Sequence, residues 1–227
     1  RAIHDFNLAL DRAVVRSASG TYGSAVPGPV RAGVSNFASN LNQPGYILND
    51  LLQLRLEDAI ANTFRFALNT TVGLGGVLDP ASGIGMTARD TDFGETLHVY
   101  GVPEGDFVML PVLGPSTTRD TVGMVVDMAT NPMRRIVQAP QSRVLSAATV
   151  ADRFNDRYEL DDTIDSIVND SADSYLALRS IYLQNRRFEL RGTDFSLEAA
   201  AAVPPGDPTL DPFYDPYSDP YFDTYAP

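Results

Sequence analysis

The sequence predicts a mainly α-helical protein, and three observations carry that prediction. Apolar residues recur at three- and four-residue spacing in several separate segments. Helix-start signals stand at two of them, Pro29 for one and Ser116 or Thr117 for another. Only one stretch, residues 101–115, has the pattern of a hairpin.

Residues 3–19 place Ile3, Phe6, Leu10, Ala13 and Val14 on one helical face, with Asp5, Asp11, Arg12 and Arg16 elsewhere. Pro29 suits the first turn of a second helix, whose stripe is Val30, Val34, Phe37 and Leu41. Pro44 and Gly45 are expected to break or kink it, with helical spacing resuming over 46–53. Residues 55–69 predict another helix, striped by Leu56, Ile60, Phe64, Ala67 and Leu68. The stretch 70–85 is Gly-rich and nearly uncharged. Its centre, Gly73, Leu74, Gly75 and Gly76, suits close packing or a loop against an apolar surrounding.

Residues 92–101 predict a short helix. The hairpin is expected to turn at Pro103-Glu104-Gly105, with apolar residues on both sides. Ser116 or Thr117 then caps a helix through "VGMVVDMA". Residues 131–147 read mostly as loop, followed by helices at 148–169, with a break, and 173–191. In the last, Tyr175, Leu178, Tyr182 and Arg186 share a side. The division is a helical domain at 1–198 and a tail at 199–227. In the tail Asp207, Asp211, Asp215 and Asp219 each precede Pro, with aromatic residues interleaved. A tether or docking strip and a solvated low-complexity end both fit it.

Composition narrows the chemistry. The chain has no Cys, and its seventeen basic residues are all Arg. Thiolate nucleophiles, Schiff-base lysines and Cys-based metal sites are therefore excluded. A net charge of −12 argues against nucleic acid and against polybasic contact with anionic lipid. No run of eighteen apolar residues predicts a simple spanning helix. "DFG" at 92–94 lacks a kinase's other motifs, and "GLGG" at 73–76 lacks dinucleotide spacing. A serine hydrolase would need His98 or His4 as base, yet no G-x-S-x-G elbow exists. Asp161 and Asp165 read as a solvated helix face, so no catalytic and no metal residues are assigned.

Five ordered segments, "FNLALD" (6–11), "VPGPVRAGVSNFASNLNQPGYILNDLLQ" (26–53), "RFALNTTVGLGGVLDPA" (65–81), "DFGETLHVYGV" (92–102) and "LPVLGPSTTRD" (110–120), resemble the MlaA (VacJ) family of outer-membrane lipoproteins. The segment 173–190 is similar to the family's closing helix. His98 stands where the family usually has Gly, and Ser174 where it commonly has Pro. The resemblance implies a ring-like arrangement of amphipathic helices lying in the membrane plane, with one short hairpin and a central amphipathic channel. It implies removal of mislocalised phospholipid from the outer leaflet of the outer membrane, without a cofactor. It implies three partners: phospholipid, a trimeric outer-membrane porin, and a soluble periplasmic carrier of the MlaC type. The expected location is the periplasmic face of the outer membrane, with a lipid anchor on a segment preceding Arg1. An envelope scaffold that holds a porin and moves no lipid is the alternative.

By motif match, Gly101, Val102, Gly105, Phe107, Met109 and Pro111 correspond to a mobile hairpin beside the channel. Arg119 and Asp120 are polar residues at the adjoining helix start. Arg119 there either contacts lipid phosphate or pairs with Asp120 or Asp127. The apolar stripes fit a globular core as well as a membrane-lying face, and periodicity does not separate the two.

Overall fold

The computed structural model describes residues 1–133 and 141–194. The Asp-Pro tail and the middle of the expected 131–147 loop lie outside the described residues. Arg1–Arg186 forms one compact unit and Arg187–Pro227 a second. The site residues below belong to the first.

Helix α1 (Ala2–Leu10) runs through a π-helical turn, Asp11–Val15, into α2 (Arg16–Ala25). Then follow α3 (Gly28–Leu52), α4 (Leu56–Thr71) and the short α5 (Pro80–Gly83). Next come α6 (Phe93–Val99), strands β1 (Phe107–Leu110) and β2 (Gly114–Thr117), and α7 (Thr118–Thr130). Helices α8 (Gln141–Glu159), α9 (Asp161–Asn169) and α10 (Ser174–Asp194) complete the described chain. Helix α3 packs on both α4 and α8, α2 packs on α8, and α6 packs on α7. No helix among the described residues is long and apolar enough to cross a membrane.

Most expected elements form where the sequence places them. Thr117 caps α7 by accepting from the Asp120 amide, and Asp92 caps α6 by accepting from the Glu95 amide. The predicted break in the 148–169 helix falls at Leu160. Three expectations are corrected. The loop expected through residue 147 ends earlier, because α8 already begins at Gln141. Pro44 does not break its helix: α3 continues over 25 residues with Pro44 inside. Contacts on both sides of the proline hold the helix in place across it. Ser35 donates to Asp152 and Arg31 to Asn155 before it, and Asn62 donates to Asp50 after it. The hairpin does not turn at Pro103-Glu104-Gly105. Its strands pair Phe107 with Thr117 and Leu110 with Gly114, so the turn is residues 111–113. Gly101 (φ +80°) ends α6, and residues 102–106 lead to β1, with the Glu104 and Asp106 carbonyls accepting from the Arg119 and Thr118 amides.

Burial runs opposite to the pattern of a water-soluble core. The largest fully buried side chains among the described residues are Asn62, Thr96, Thr117, Asp50, Ser19 and Ser116, all polar. The buried apolar residues of the first unit are Ala38, Leu41, Ala59, Ala81 and Met109. Meanwhile the α4 stripe faces outward: Leu56 is 60% exposed, Ile60 56% and Phe64 63%. The opposite α4 face, Ala59, Asn62, Arg65 and Asn69, is the buried one. Phe6, Val14 and Val30 of the earlier stripes are exposed as well. The ambiguity left by periodicity is thus resolved for α4, whose apolar face does not make a core, while the α3 stripe is divided between exposed Val30 and buried Leu41.

Candidate functional site

The polar interior has two parts. The first is the seam between α3 and α4. Buried Asn62 donates to Asp50 Oδ2 at 2.7 Å and to the Arg89 carbonyl at 2.8 Å. Burial pushes the Asp50 carboxyl up to about 6, partly opposed by the Asn62 hydrogen bond. Arg65 Nη2 meets Asp79 Oδ2 at 3.1 Å, and Asn69 donates to Asp79 at 2.9 Å. Burial alone would raise Asp79. Hydrogen bonds from Ser82 and Asn69 and the Arg65 charge outweigh it and hold Asp79 down at about 2. Asn40 donates to Thr70 and to the Gly75 carbonyl, while its Oδ1 and the Oε1 of Gln43 are buried without a partner. A buried amide oxygen left in that state is costly unless a ligand or water reaches it.

The Gly-rich segment joins this seam. A Cβ on Gly73 would lie 2.4 Å from the Asn69 and Leu78 carbonyl oxygens, and one on Gly76 2.5 Å from the Asn40 Cβ. Both glycines are required by close approach. Gly75 has open space around it, and Leu74 projects outward. Of the four residues singled out, two pack inward and two face away.

The second part lies among α6, the hairpin, α7 and α10. Arg186 Nη2 meets both oxygens of Asp92, at 2.7 and 2.8 Å, and Asp120 Oδ1 at 3.3 Å. Tyr182 donates to Asp120 Oδ2 at 2.8 Å, as does Thr117. Burial pushes Asp120 up, but the Arg186 charge and these donors dominate and hold it below the ordinary carboxylate value. Asp127 accepts from Asn49 and from the Phe93 amide, both at 2.9 Å; burial nevertheless raises it. Gln53 donates to Thr91 and Thr96, extending the network to the end of α3. Helices α6 and α7 touch backbone to backbone, since a Cβ on Gly123 would meet the Gly94 nitrogen at 2.3 Å.

The expected channel-side residues fall around this network. Arg119 is buried, with Nε and Nη2 each 3.4 Å from Asp120 Oδ1 and Nη1 3.5 Å from His98 Nδ1. Its carboxylate is Asp120, not Asp127. Phe107 packs edge-on against Tyr175 and Tyr182, and Met109 is buried. Gly105 (φ +73°) abuts Thr118, where a Cβ would lie 2.9 Å from the Thr118 Cβ. Val102 is bonded back to the Leu97 carbonyl, and Pro111 lies exposed at the hairpin turn. Asn7 of α1 clasps that turn, donating to the Leu110 carbonyl and accepting from the Val112 amide.

Sequence reasoning missed Asn40, Gln43, Asn49, Asp50, Gln53, Asn62, Asp92 and the Gly94–Gly123 contact. A signal was available. Asn62, Arg65 and Asn69 form a polar stripe at helical spacing, and so do Asn40, Gln43 and Asp50. A solvated face is normally written in long charged residues, and short amides in their place mark an interior. The hydrolase expectation also has an outcome. His98 has the Arg119 guanidinium 3.5 Å from Nδ1. His4 Nε2 does lie 2.9 Å from Ser174 Oγ.

The first unit is therefore a mainly helical assembly with a hydrogen-bonded polar interior and apolar outward faces. The MlaA lipoprotein family matches residues 1–189. The intermembrane phospholipid transport system lipoprotein MlaA of Escherichia coli K12 is 33% identical over 196 residues, covering 85% of this chain and 76% of that protein. The protein of the same name from Haemophilus influenzae is 31% identical over 194 residues, covering 84% and 76%. A solved structure from work on the structural basis for maintenance of bacterial outer membrane lipid asymmetry superposes with a TM-score of 0.72 at 32% identity. It covers 84% of this chain and 95% of the other. This chain belongs to the MlaA lipoprotein family.

Proposed function

We propose that this protein moves phospholipid between the membranes of a bacterial envelope, taking mislocalised lipid from the outer leaflet of the outer membrane and passing it to a soluble periplasmic carrier. The names of its relatives support the general role. The observation that carries the reading is the inverted burial. Faces such as Leu56–Ile60–Phe64 look outward while amides and carboxylates fill the interior. In hydrocarbon that arrangement satisfies both surfaces, and it suits helices lying in the membrane plane.

The physical task is a solvation barrier. Exposing two acyl chains to water, roughly thirty methylenes at ~0.8 kcal/mol each, costs on the order of 25 kcal/mol. Spontaneous escape then takes on the order of days. A polar path for the headgroup beside an apolar exterior for the chains lowers that barrier with no bond made or broken. The hairpin is the movable wall in this reading. Arg119 and Asp120 form the polar end of the path, where a lipid phosphate competes with Asp120 for the guanidinium. The porin partner and the lipid anchor follow from the family resemblance.

Complementation tests the proposal. The chain should lower surface-exposed phospholipid in a strain lacking its own MlaA, and lipid should co-purify with it in mild detergent. Polar replacement of the α4 face (Ile60→Asn with Phe64→Asn) should abolish complementation at unchanged protein levels. Full complementation by that variant, with no co-purifying lipid, would favour the porin-holding scaffold instead.

A further inference from the structure

Three residues without glycine's freedom sit in the left-handed region: Leu54 (φ 60°), Leu74 (φ 56°) and Val112 (φ 68°). Each lies in a turn, between α3 and α4, after α4, and at the hairpin tip. Such positions in water are normally filled by Gly, Asn or Asp, because a branched or bulky side chain there is strained. All three are instead aliphatic and stand far out, at 81%, 72% and 70% exposure.

The strain is locked in by the backbone. Leu54 donates to the Leu51 carbonyl, and Arg55 to that of Asp50. Gly73 and Gly75, on either side of Leu74, donate to Leu68 and Thr70. Leu113 donates to the Pro111 carbonyl across Val112, which makes Val112 the centre of a γ-turn with positive φ, a rare and strained form. The surroundings repeat the chemistry. Leu51, Leu52 and Leu56 are exposed about the first turn, Val72, Val77 and Leu78 about the second, and Leu113 beside the third. Residues 72–78 and 107–118 carry no charge. The amides bonded within the turns leave little to orient a protein partner, whereas liquid hydrocarbon needs no orientation.

We propose that Leu54, Leu74 and Val112 are membrane wedges, aliphatic side chains held by strained turns in the acyl-chain layer of the bilayer. The inference rests on the reading of the outward apolar faces as lipid-facing, and continues those faces into the turns. It assigns the strain a use: each turn keeps its side chain extended from the backbone at a fixed depth.

The chain has no Cys, so single-site labelling starts from a clean background. L54C, L74C and V112C, each carrying an environment-sensitive fluorophore, are bound to vesicles of phosphatidylethanolamine and phosphatidylglycerol. F64C reports the α4 apolar face, and D162C an exposed polar position. Acyl-chain spin-labelled lipid should quench the three turn sites at least as strongly as position 64, and position 162 little. Quenching at 64 but not at the turns overturns the wedges and leaves the lipid-facing helices standing. No quenching at 64 either defeats both. A blue shift at the turns only when purified porin is added assigns them to a protein partner and also overturns the proposal. A second arm uses L54G/L74G/V112G, in which glycine accepts the same backbone. It should melt no lower than the parent in detergent, yet bind vesicles roughly tenfold or more weakly. Undiminished vesicle binding would sink the idea.

Discussion

Asp50 offers a prediction with a definite sign. It is 1% exposed, and its described side-chain contact is the Asn62 amide rather than a cation. Burial moves its carboxyl from 3.8 to about 6, so the folded protein binds that proton more tightly than the unfolded chain. A raised acid penalises the native state when ionised. The penalty is absent below pH ~3.8, grows as pH rises towards ~6, and is complete above that. Two pH decades at 1.36 kcal/mol each amount to about 3 kcal/mol. Asp50→Asn removes the charge, and the new carbonyl oxygen still accepts the Asn62 hydrogen bond. The variant should therefore be about 3 kcal/mol more stable at pH 7.5, or about 6–12 °C in Tm for a protein of this size. At pH 4 it should differ little from the parent. Thermal unfolding followed by circular dichroism in mild detergent at both pH values measures this. Equal gains at the two pH values, or no gain at pH 7.5, would refute the assignment of a carboxyl whose burial outweighs the Asn62 hydrogen bond and the Arg55 charge.

Four other outcomes are expected. Arg186→Gln takes from Asp92 its guanidinium and from Asp120 one of two, and should cost about 2–3 kcal/mol, less than a fully buried pair because Asp92 is partly exposed. Arg119→Gln, whose contacts to Asp120 are 3.4 Å long, should cost less, so chemical denaturation should rank the two in that order. Gly123→Ala drives a methyl into the Gly94 backbone and should lower Tm sharply. Gly45→Ala, with nothing within 4 Å, should be neutral or stabilise the fold by up to ~1 kcal/mol. Ser174→Ala removes the His4 partner and should leave phospholipid transport intact, whereas loss of transport together with disappearance of a lipid cleavage product would revive a hydrolase. Asn7→Ala frees the hairpin turn, and faster amide exchange at Val112 by mass spectrometry is the expected signature.

Helix positions were legible because periodicity and caps are local. Thr117 and Asp92 sit one residue ahead of their helices, and the apolar spacing of 56–68 marks α4 whatever surrounds it. Which face of α4 turns inward was not legible in that way. The same stripe serves a globular core or a bilayer, and only the contacts of Asn62 and Arg65 with Asp50, Arg89 and Asp79 decide between them. The hairpin was misplaced for a related reason. Pro103-Glu104-Gly105 has the composition of a turn, and Gly105 does adopt positive φ, but against Thr118 rather than between strands. The real turn is made by Pro111, Val112 and Leu113, and of these turn propensity favours only Pro111.

That last failure carries information. Propensities describe chains whose turns meet water, and they fail here at Leu54, Leu74 and Val112, where aliphatic side chains occupy backbone conformations that glycine would adopt more cheaply. The amphipathic pattern also departs from the water-soluble rule, at the faces carrying Leu56, Ile60 and Phe64. If the surrounding solvent is hydrocarbon, both departures have one cause. Outward apolar groups then stabilise the protein, and inward amides need only find one another. Restoring the water-soluble rule at either kind of position, Asn on the α4 face or Gly in the turns, should weaken vesicle binding while leaving the polar interior intact. Tyr182 and Arg186 supply the control, because they belong to that interior. Changes there should lower stability in detergent and in vesicles alike.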